Sequence, residues 1–409
     1  MDHFAASEPF DIAGVDIYHP SQDDLTGIEI AFGGDMTRSL KDSNYLVLET
    51  QAQAFPHWTP YPGQLRLQAF SHLASGANMV AYWHWHSIHN SFETYWKGLL
   101  SHDLLPNPVY NEAMTIGADF ERLSDELVNL RKTNKTAIMV SNEALTALEW
   151  FKLPDGTNYN DIVRALYDEL YKLNVECDFI QPTSTRLSEY KLIIVPALYA
   201  VSDECLQRLN QYVREGGHVI YSFKSGFADE VIQVRQTVQP AVIHEACGVS
   251  YNMFVEPNKV GLKGVLAEER GGVRAWMELL TPTTAEVLAY YDHKEWGKYA
   301  AITRNAYGEG TAIYMGCLPS SGAIRELLTL AVKEAGLWGA EQELAFPIIV
   351  RSGVNESGSS LRYYFNYSGD AVSLIYPHGD GVELLSGERL VRGQKLELAP
   401  WGVLIARES

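Results

Sequence analysis

Cysteine is scarce in this chain of 409 residues, and the four present, Cys177, Cys205, Cys247 and Cys317, lie far apart. No Cys-x-x-Cys pair occurs, so neither a zinc site nor a disulfide framework is signalled, and buried thiols are expected. Positive charge is also short: 32 Lys and Arg stand against 51 Asp and Glu, a formal net charge of −19. With no local run of basic residues, a phosphate-tracking surface is not expected, nor is a nucleic-acid partner. Long apolar runs are missing as well. The first thirty residues carry Asp2, Glu8, Asp11 and Asp16, which argues against a signal peptide, and no stretch reaches membrane-spanning length. The expectation is a cytoplasmic chain with no membrane partner.

What is present suffices for more than one core. Hydrophobic residues make up 46% of the chain, and the length suggests two to three domains. Phe10 to Tyr18 and Tyr45 to Glu49 read as buried strands joined by a loop, and Pro62 suits the first turn of a helix that Gly76 stops. Met79 to His86 reads as a third strand, and a helical period runs from Tyr110 to about Arg131. Alternating strands and helices imply a parallel sheet or barrel for residues 1–133.

A second α/β unit is predicted for residues 134–345. Its strands are Thr136 to Val140, Leu192 to Pro196, His218 to Phe223 and Gly308 to Tyr314. Its helices are Tyr159 to Leu173, one capped by Ser202 and ended by Gly216-Gly217, and Ser321 to Ala335. This β-α-β order marks a doubly wound domain. Residues 346–409 alternate with period two over Tyr363 to Asn366, Val372 to Ile375 and Val403 to Ala406, as in a small antiparallel β-sandwich.

Glu49 ends its apolar run and opens a loop, Thr50 to Tyr61, rich in Gln, His, Trp and Pro. Carboxylates at the carboxyl ends of parallel strands are where such folds keep their chemistry. Strand ends near Tyr18, Glu49 and Trp85 would open on one rim, with Trp58, Tyr61, Phe92, Glu93, Tyr95 and Trp96 in the following loops. Aromatic rings beside carboxylates suit a sugar, since rings cover its C–H faces while acidic groups accept from its hydroxyls.

Leu48-Glu49-Thr50-Gln51, Pro62 to Leu67, Ser75-Gly76-Ala77, Trp83-His84-Trp85, Glu93 to Gly98 and His102-Asp103 together resemble the barrel end of glycoside hydrolase family 42, the β-galactosidases. The resemblance implies a (β/α)8 TIM barrel, a flavodoxin-like or amidotransferase-like trimerisation domain, and a β-sandwich. It implies a retaining mechanism on a β-galactoside or galacto-oligosaccharide, a homotrimer and no cofactor. By the same resemblance Glu49 matches the nucleophile, Trp58 the tryptophan lining the galactose pocket, and Glu93 the carboxylate that binds sugar hydroxyls. Trp96 stands where many members place a histidine.

A full barrel takes about 250 residues, roughly twice what precedes the second unit, so only the last strands are expected here. The family's acid/base belongs to an Asn-Glu pair on an earlier strand, and Asn142-Glu143 falls instead in the second unit. The chain therefore reads as the C-terminal portion of such an enzyme. Three rival readings exist: His84 and His86, two apart on a strand, as metal ligands; an inert oligomerisation or sugar-binding remnant; and amidotransferase chemistry at Cys317, whose flanks lack the glycines of a nucleophile elbow.

Overall fold

The computed structural model describes residues 2–267 and 271–408. Residues up to Thr133, with Tyr171–Asn174 and Gly339 onward, form one compact unit; Asn134–Leu170 and Val175–Trp338 form another.

The first unit begins with a short helix α1 (His3–Ser7), capped by Asp2, and a strand β1 of three residues (Gly14–Asp16). This corrects the longer strand expected from Phe10: Phe10 and Ile12 are 63% and 56% exposed, so that apolar run is not pairing in a sheet. Helix α2 (Ile28–Lys41) follows, where the sequence reads as a loop. Gly33-Gly34 conceals it. A Cβ on Gly34 would lie 2.3 Å from Tyr45 Oη and 2.7 Å from Ser75 Cβ, so this glycine allows close packing and does not break the helix. Strand β2 (Tyr45–Gln51), helix α3 (Gln64–Ala74), strand β3 (Ala77–Trp83) and helix α4 (Pro108–Leu127) complete the series. Pro62 lies just outside α3, which starts after Gly63 in a left-handed conformation, φ 93°. Asn107 caps α4 with Pro108 in its first turn.

The three strands are parallel, in the order β1-β2-β3. Tyr45 and Val47 of β2 are fully buried with Ala13 and Ala77, whereas Leu48 is 52% exposed. Leu65 and Ala69 of α3 pack on Val109 and Ile116 of α4.

The same unit holds the C-terminal sandwich. Five antiparallel strands, in the order Ile348–Val354, Ser360–Asn366, Val403–Glu408, Gly381–Glu383 and Arg389–Leu390, face a pair formed by Val372–Ile375 and Lys395–Leu398. Val350, Tyr364 and Ala406 from one sheet meet Leu374, Leu396 and Leu398 from the other. Buried Asp35 of α2 ties this sandwich to the helices, accepting from Arg38 at 2.6 Å and from Arg351 at 2.5 Å.

The second unit is built on an eight-stranded sheet. Its parallel strands are β4 (Thr136–Met139), β5 (Cys177–Ile180), β6 (Leu192–Val195), β7 (His218–Ser222) and Gly310–Met315, ordered in space β5-β4-β6-β7 and then Gly310–Met315. Numbered along the chain this is 2-1-3-4-5, the flavodoxin-like order. Antiparallel strands Ala300–Tyr307, Glu286–Asp292 and Gly261–Gly264 extend one side. Helices α5 (Asn142–Trp150), α6 (Tyr159–Lys172) and α7 (Asp203–Arg214) follow β4, α5 and β6. Ser202 caps α7 by accepting from Cys205 N. All four cysteines are buried thiols, Cys317 among them.

Candidate active site

A register break places Glu49. Val47 pairs with Val80 and Thr50 with Tyr82, so Leu48 and Glu49 together oppose Ala81 alone; on the other side Val15 pairs with Val47 and Asp16 with Glu49. Leu48 is thus the extra residue on both flanks, a bulge of the kind that re-aims a side chain at a strand end. Ile17 N donates to Glu49 O at 2.9 Å, which locks β1 beside it. Tyr18, the next residue, then donates its hydroxyl to Glu49 Oε1 at 2.5 Å.

Around this pair the aromatic groups assemble. Trp96 meets Tyr18 edge-on, ring centroids 5.5 Å apart at 81°, and lies 5.6 Å from Phe55. Burial, first, and then the hydrogen bond to Glu49 push the Tyr18 phenol upward, with further contributions from the charges of Glu49, Asp16 and Glu93. His84 is pushed down, chiefly by burial and then by His86, against the pull of Glu93 and Glu49. Both carboxylates therefore lie close enough to act on the same imidazole, and Tyr18 stays a neutral donor.

The loops are tied to one another. Lys97 Nζ donates to Trp58 O at 2.6 Å and to Thr59 Oγ1 at 2.8 Å, joining the loop after β2 to the loop after β3. Gln53 Nε2 donates to Gly98 O at 2.9 Å. Gly98 has to be glycine, because a Cβ there would lie 2.6 Å from His84 O and from the backbone carbon of His86. That close approach lets Leu99 N reach His84 O at 2.8 Å and Leu100 N reach Trp85 O at 2.9 Å.

Of the residues singled out from sequence, Glu49 and Trp96 meet through Tyr18, Glu93 joins them electrostatically, and Trp58 joins through its backbone tie to Lys97. Sequence reasoning left out Tyr18 as a Glu49 partner, together with Lys97 and Gln53. The strand-end run Asp16-Ile17-Tyr18 was the available signal for Tyr18, and Lys97 falls within the Glu93 to Gly98 motif; nothing local marks Gln53. His84 and His86 are corrected in one respect: β3 stops at Trp83, so they lie beyond the strand, with ring centroids 6.1 Å apart at 64°. Among the described residues no group of three or more His, Cys, Asp or Glu is arranged to hold a metal. Glu143 lies in α5, where Ser141 Oγ, the cap of that helix, donates to its carboxylate at 3.1 Å. A cavity of about 460 Å³ occurs in the second unit, lined by Asp155, Thr157, Asp161, Arg164, Asp168 and Arg274 among others. Its walls hold no aromatic ring, so it lacks the surface a sugar stacks on.

Three family models match the chain: β-galactosidase over residues 1–123, β-galactosidase trimerisation domain over 134–338, and β-galactosidase C-terminal domain over 350–408. Among curated relatives, β-galactosidase BgaB of Geobacillus sp. (strain Y412MC61) is 30% identical over 336 residues, covering 80% of this chain and 50% of its own length. β-Galactosidase BgaA of Clostridium cellulovorans is 26% identical over 413 residues, covering 98% and 61%. The fold is that of the β-galactosidase from Bacillus circulans sp. alkalophilus, with a TM-score of 0.90 at 23% identity over 100% of this chain and 62% of that one. The β-galactosidase of Halorubrum lacusprofundi gives 0.85 at 24% identity, with the same coverage. The chain spans between half and about three fifths of the length of these curated relatives.

Proposed function

The chain belongs to glycoside hydrolase family 42, the β-galactosidase family, and from that premise we propose that it carries the nucleophile side of a retaining β-galactosidase site. Glu49 is the nucleophile, attacking the anomeric carbon of a terminal β-galactosyl residue. Trp58, Glu93 and Trp96 bind the sugar. The observation that carries this reading is the short Tyr18–Glu49 hydrogen bond at the bulged end of β2, which aims a carboxylate at a rim of aromatic rings. A neutral phenol bound to one carboxylate oxygen fixes the other for attack, as positioned covalent catalysis requires.

The three parallel strands are proposed to be the last strands of a (β/α)8 barrel. Parallel sheets are normally covered on both faces, yet Leu48 and Met79 are 52% and 37% exposed here, and β1 and β3 each have one neighbour in a sheet ordered β1-β2-β3. Further strands would cover that surface and bring the proton donor that a retaining site needs about 5 to 5.5 Å from the nucleophile. The domains are taken as 1–133, 134–345 and 346–409, the middle one mediating a homotrimer. No described helix is long and apolar enough to cross a membrane. Buried thiols suit the cytoplasm, the compartment we propose.

A second reading, sugar binding without hydrolysis, is favoured by one observation: the Asn142-Glu143 pair serves the start of α5 in the other unit. The test of the main reading is covalent trapping. A 2-deoxy-2-fluoro-galactoside is incubated with the chain and its complementary barrel segment, and the adduct is mapped by mass spectrometry. Label on Glu49 is expected; label on any other carboxylate overturns the assignment.

A further inference from the structure

The loop between β3 and α4 carries Glu93 and Trp96, and two histidines close it. His102 Nε2 lies 2.8 Å from Thr94 O and 3.1 Å from Ile88 O. Carbonyls only accept, so this nitrogen carries the proton and shares it between residues on either side of Glu93. In return His89 Nε2 donates to His102 O at 2.6 Å, and the two rings touch, centroids 5.6 Å apart at 69°. Inside the clasp Ile88 N donates to Trp96 O at 3.1 Å and Trp96 N to Glu93 O at 2.8 Å. These two backbone ties set Glu93 relative to Trp96, and the carbonyls that His102 holds belong to Ile88, an end of one tie, and to Thr94, next to Glu93.

We propose that His89 and His102 are positioning residues for sugar binding: their reciprocal clasp holds the loop in the one shape that presents Glu93 and Trp96 together to a galactoside. The assignment rests on the galactoside reading of the site. The physical reason is preorganisation. The loop from His84 to Asn107 has no helix or strand of its own, and a segment ordered only when ligand arrives gives up affinity to lost conformational freedom. His102 is exposed, so replacing it removes the clasp without opening a core.

The experiment compares the chain assembled with its complementary barrel segment with the same assembly carrying His102→Ala or His102→Gln, the latter keeping an amide N–H close to the position of Nε2. Methyl β-D-thiogalactoside is titrated by NMR, and hydrogen exchange is followed at the Ile88 and Trp96 amides. The alanine variant is expected to exchange faster at those two amides and to bind the thiogalactoside about tenfold more weakly, with an unchanged melting temperature, and glutamine is expected to restore both. Thiogalactoside binding in His102→Ala equal to that of the unsubstituted assembly overturns the proposal, as does weaker binding accompanied by faster exchange throughout β2 and β3. Failure of the unsubstituted assembly to bind the thiogalactoside, with the Ile88 and Trp96 amides still responding to His102→Ala, overturns the galactoside reading and the binding role together.

Discussion

The Tyr18 hydroxyl and Glu49 Oε1 are 2.5 Å apart, although 31 residues separate them in the chain. Hydrogen bonds to a charged acceptor contribute about 1.5–3 kcal/mol, and each 1.36 kcal/mol is about tenfold in rate. Tyr18→Phe is therefore expected to lower nitrophenyl galactoside turnover by the assembled enzyme about 10- to 100-fold, toward the lower end because the pair is partly exposed. Trp96→Ala, which removes a proposed sugar-binding ring together with the edge-on support of Tyr18, is expected to lower kcat less than Tyr18→Phe while raising KM. Steady-state rates for both variants, with melting temperatures as a folding control, check the order; turnover by Tyr18→Phe equal to wild type would remove the pair from the mechanism.

Lactose and a nitrophenyl galactoside should separate on the isolated chain. Losing a general acid typically costs about 10²- to 10⁴-fold, and that loss falls on lactose, whose alkoxide leaves poorly, more than on a phenolate. Paired assays against a Glu49→Ala background are expected to show no lactose turnover. Lactose hydrolysis at ordinary glycosidase rates would reveal a proton donor within these 409 residues.

Asp35 is expected to be the most sensitive charge in the first unit. It is fully buried between Arg38 and Arg351, themselves 6% and 4% exposed. Removing Asp35 takes the shared carboxylate from two buried cations, a loss of about 3–5 kcal/mol. Denaturant unfolding of Asp35→Ala measures it, and Arg38→Met with Arg351→Met in the same chain should recover part. Burial alone would raise the Asp35 carboxyl, but Arg351 and Arg38 over-compensate and hold it below 3.8. Its contribution is therefore complete above the ordinary carboxylate range and lost only as pH falls through the lowered value.

The two units should respond to pH in opposite directions. Burial lowers His19 to about 4, and burial with the charge of His19 lowers His72 to about 3. Both are neutral when folded and take up protons readily when unfolded, so their contribution is whole above about 6.5 and drains as pH falls toward 4 and 3. At pH 5 the loss is on the order of 2 kcal/mol for each. Burial raises Glu278 to about 7, against hydrogen bonds from Lys224 N and the Tyr314 hydroxyl. Its stabilising effect is present below about 4.5 and disappears as pH rises through 7. Hydrogen exchange in α3 and in β7 between pH 5 and 8 reads the two slopes; His72→Gln and Glu278→Gln should flatten them separately.

Light scattering on the full chain is expected to give three times 45.8 kDa. In the second unit Trp150, Phe151 and Phe254 are 81%, 54% and 48% exposed, apolar surface of the kind that a closed ring of copies covers. A clean monomer at high concentration would count against the trimer.

Strands β4, β6 and β7 were legible because each is a short, largely buried run between turn residues, and α6 and α7 carry stripes, with a Ser202 cap on α7, that read locally, whereas α5 went unread. Helix α2 went unread, and its Gly33-Gly34 pair offers no help, because a glycine that permits close packing looks the same in sequence as one that ends a helix. The strands between Gly261 and Tyr307 went unread, since short antiparallel segments pair by neighbours that no local period specifies. Glu49 could be chosen from sequence as a carboxylate between an apolar run and an aromatic loop. That it faces Tyr18 depends on the extra residue Leu48 and on the pairing of β1 with β2, and the joining of Trp58 to Lys97 depends on two loops meeting. Periodicity and capping act over a few residues and are written in the sequence itself. Register, bulges and loop-to-loop hydrogen bonds join residues tens of positions apart, and only the folded chain decides which of them come within reach.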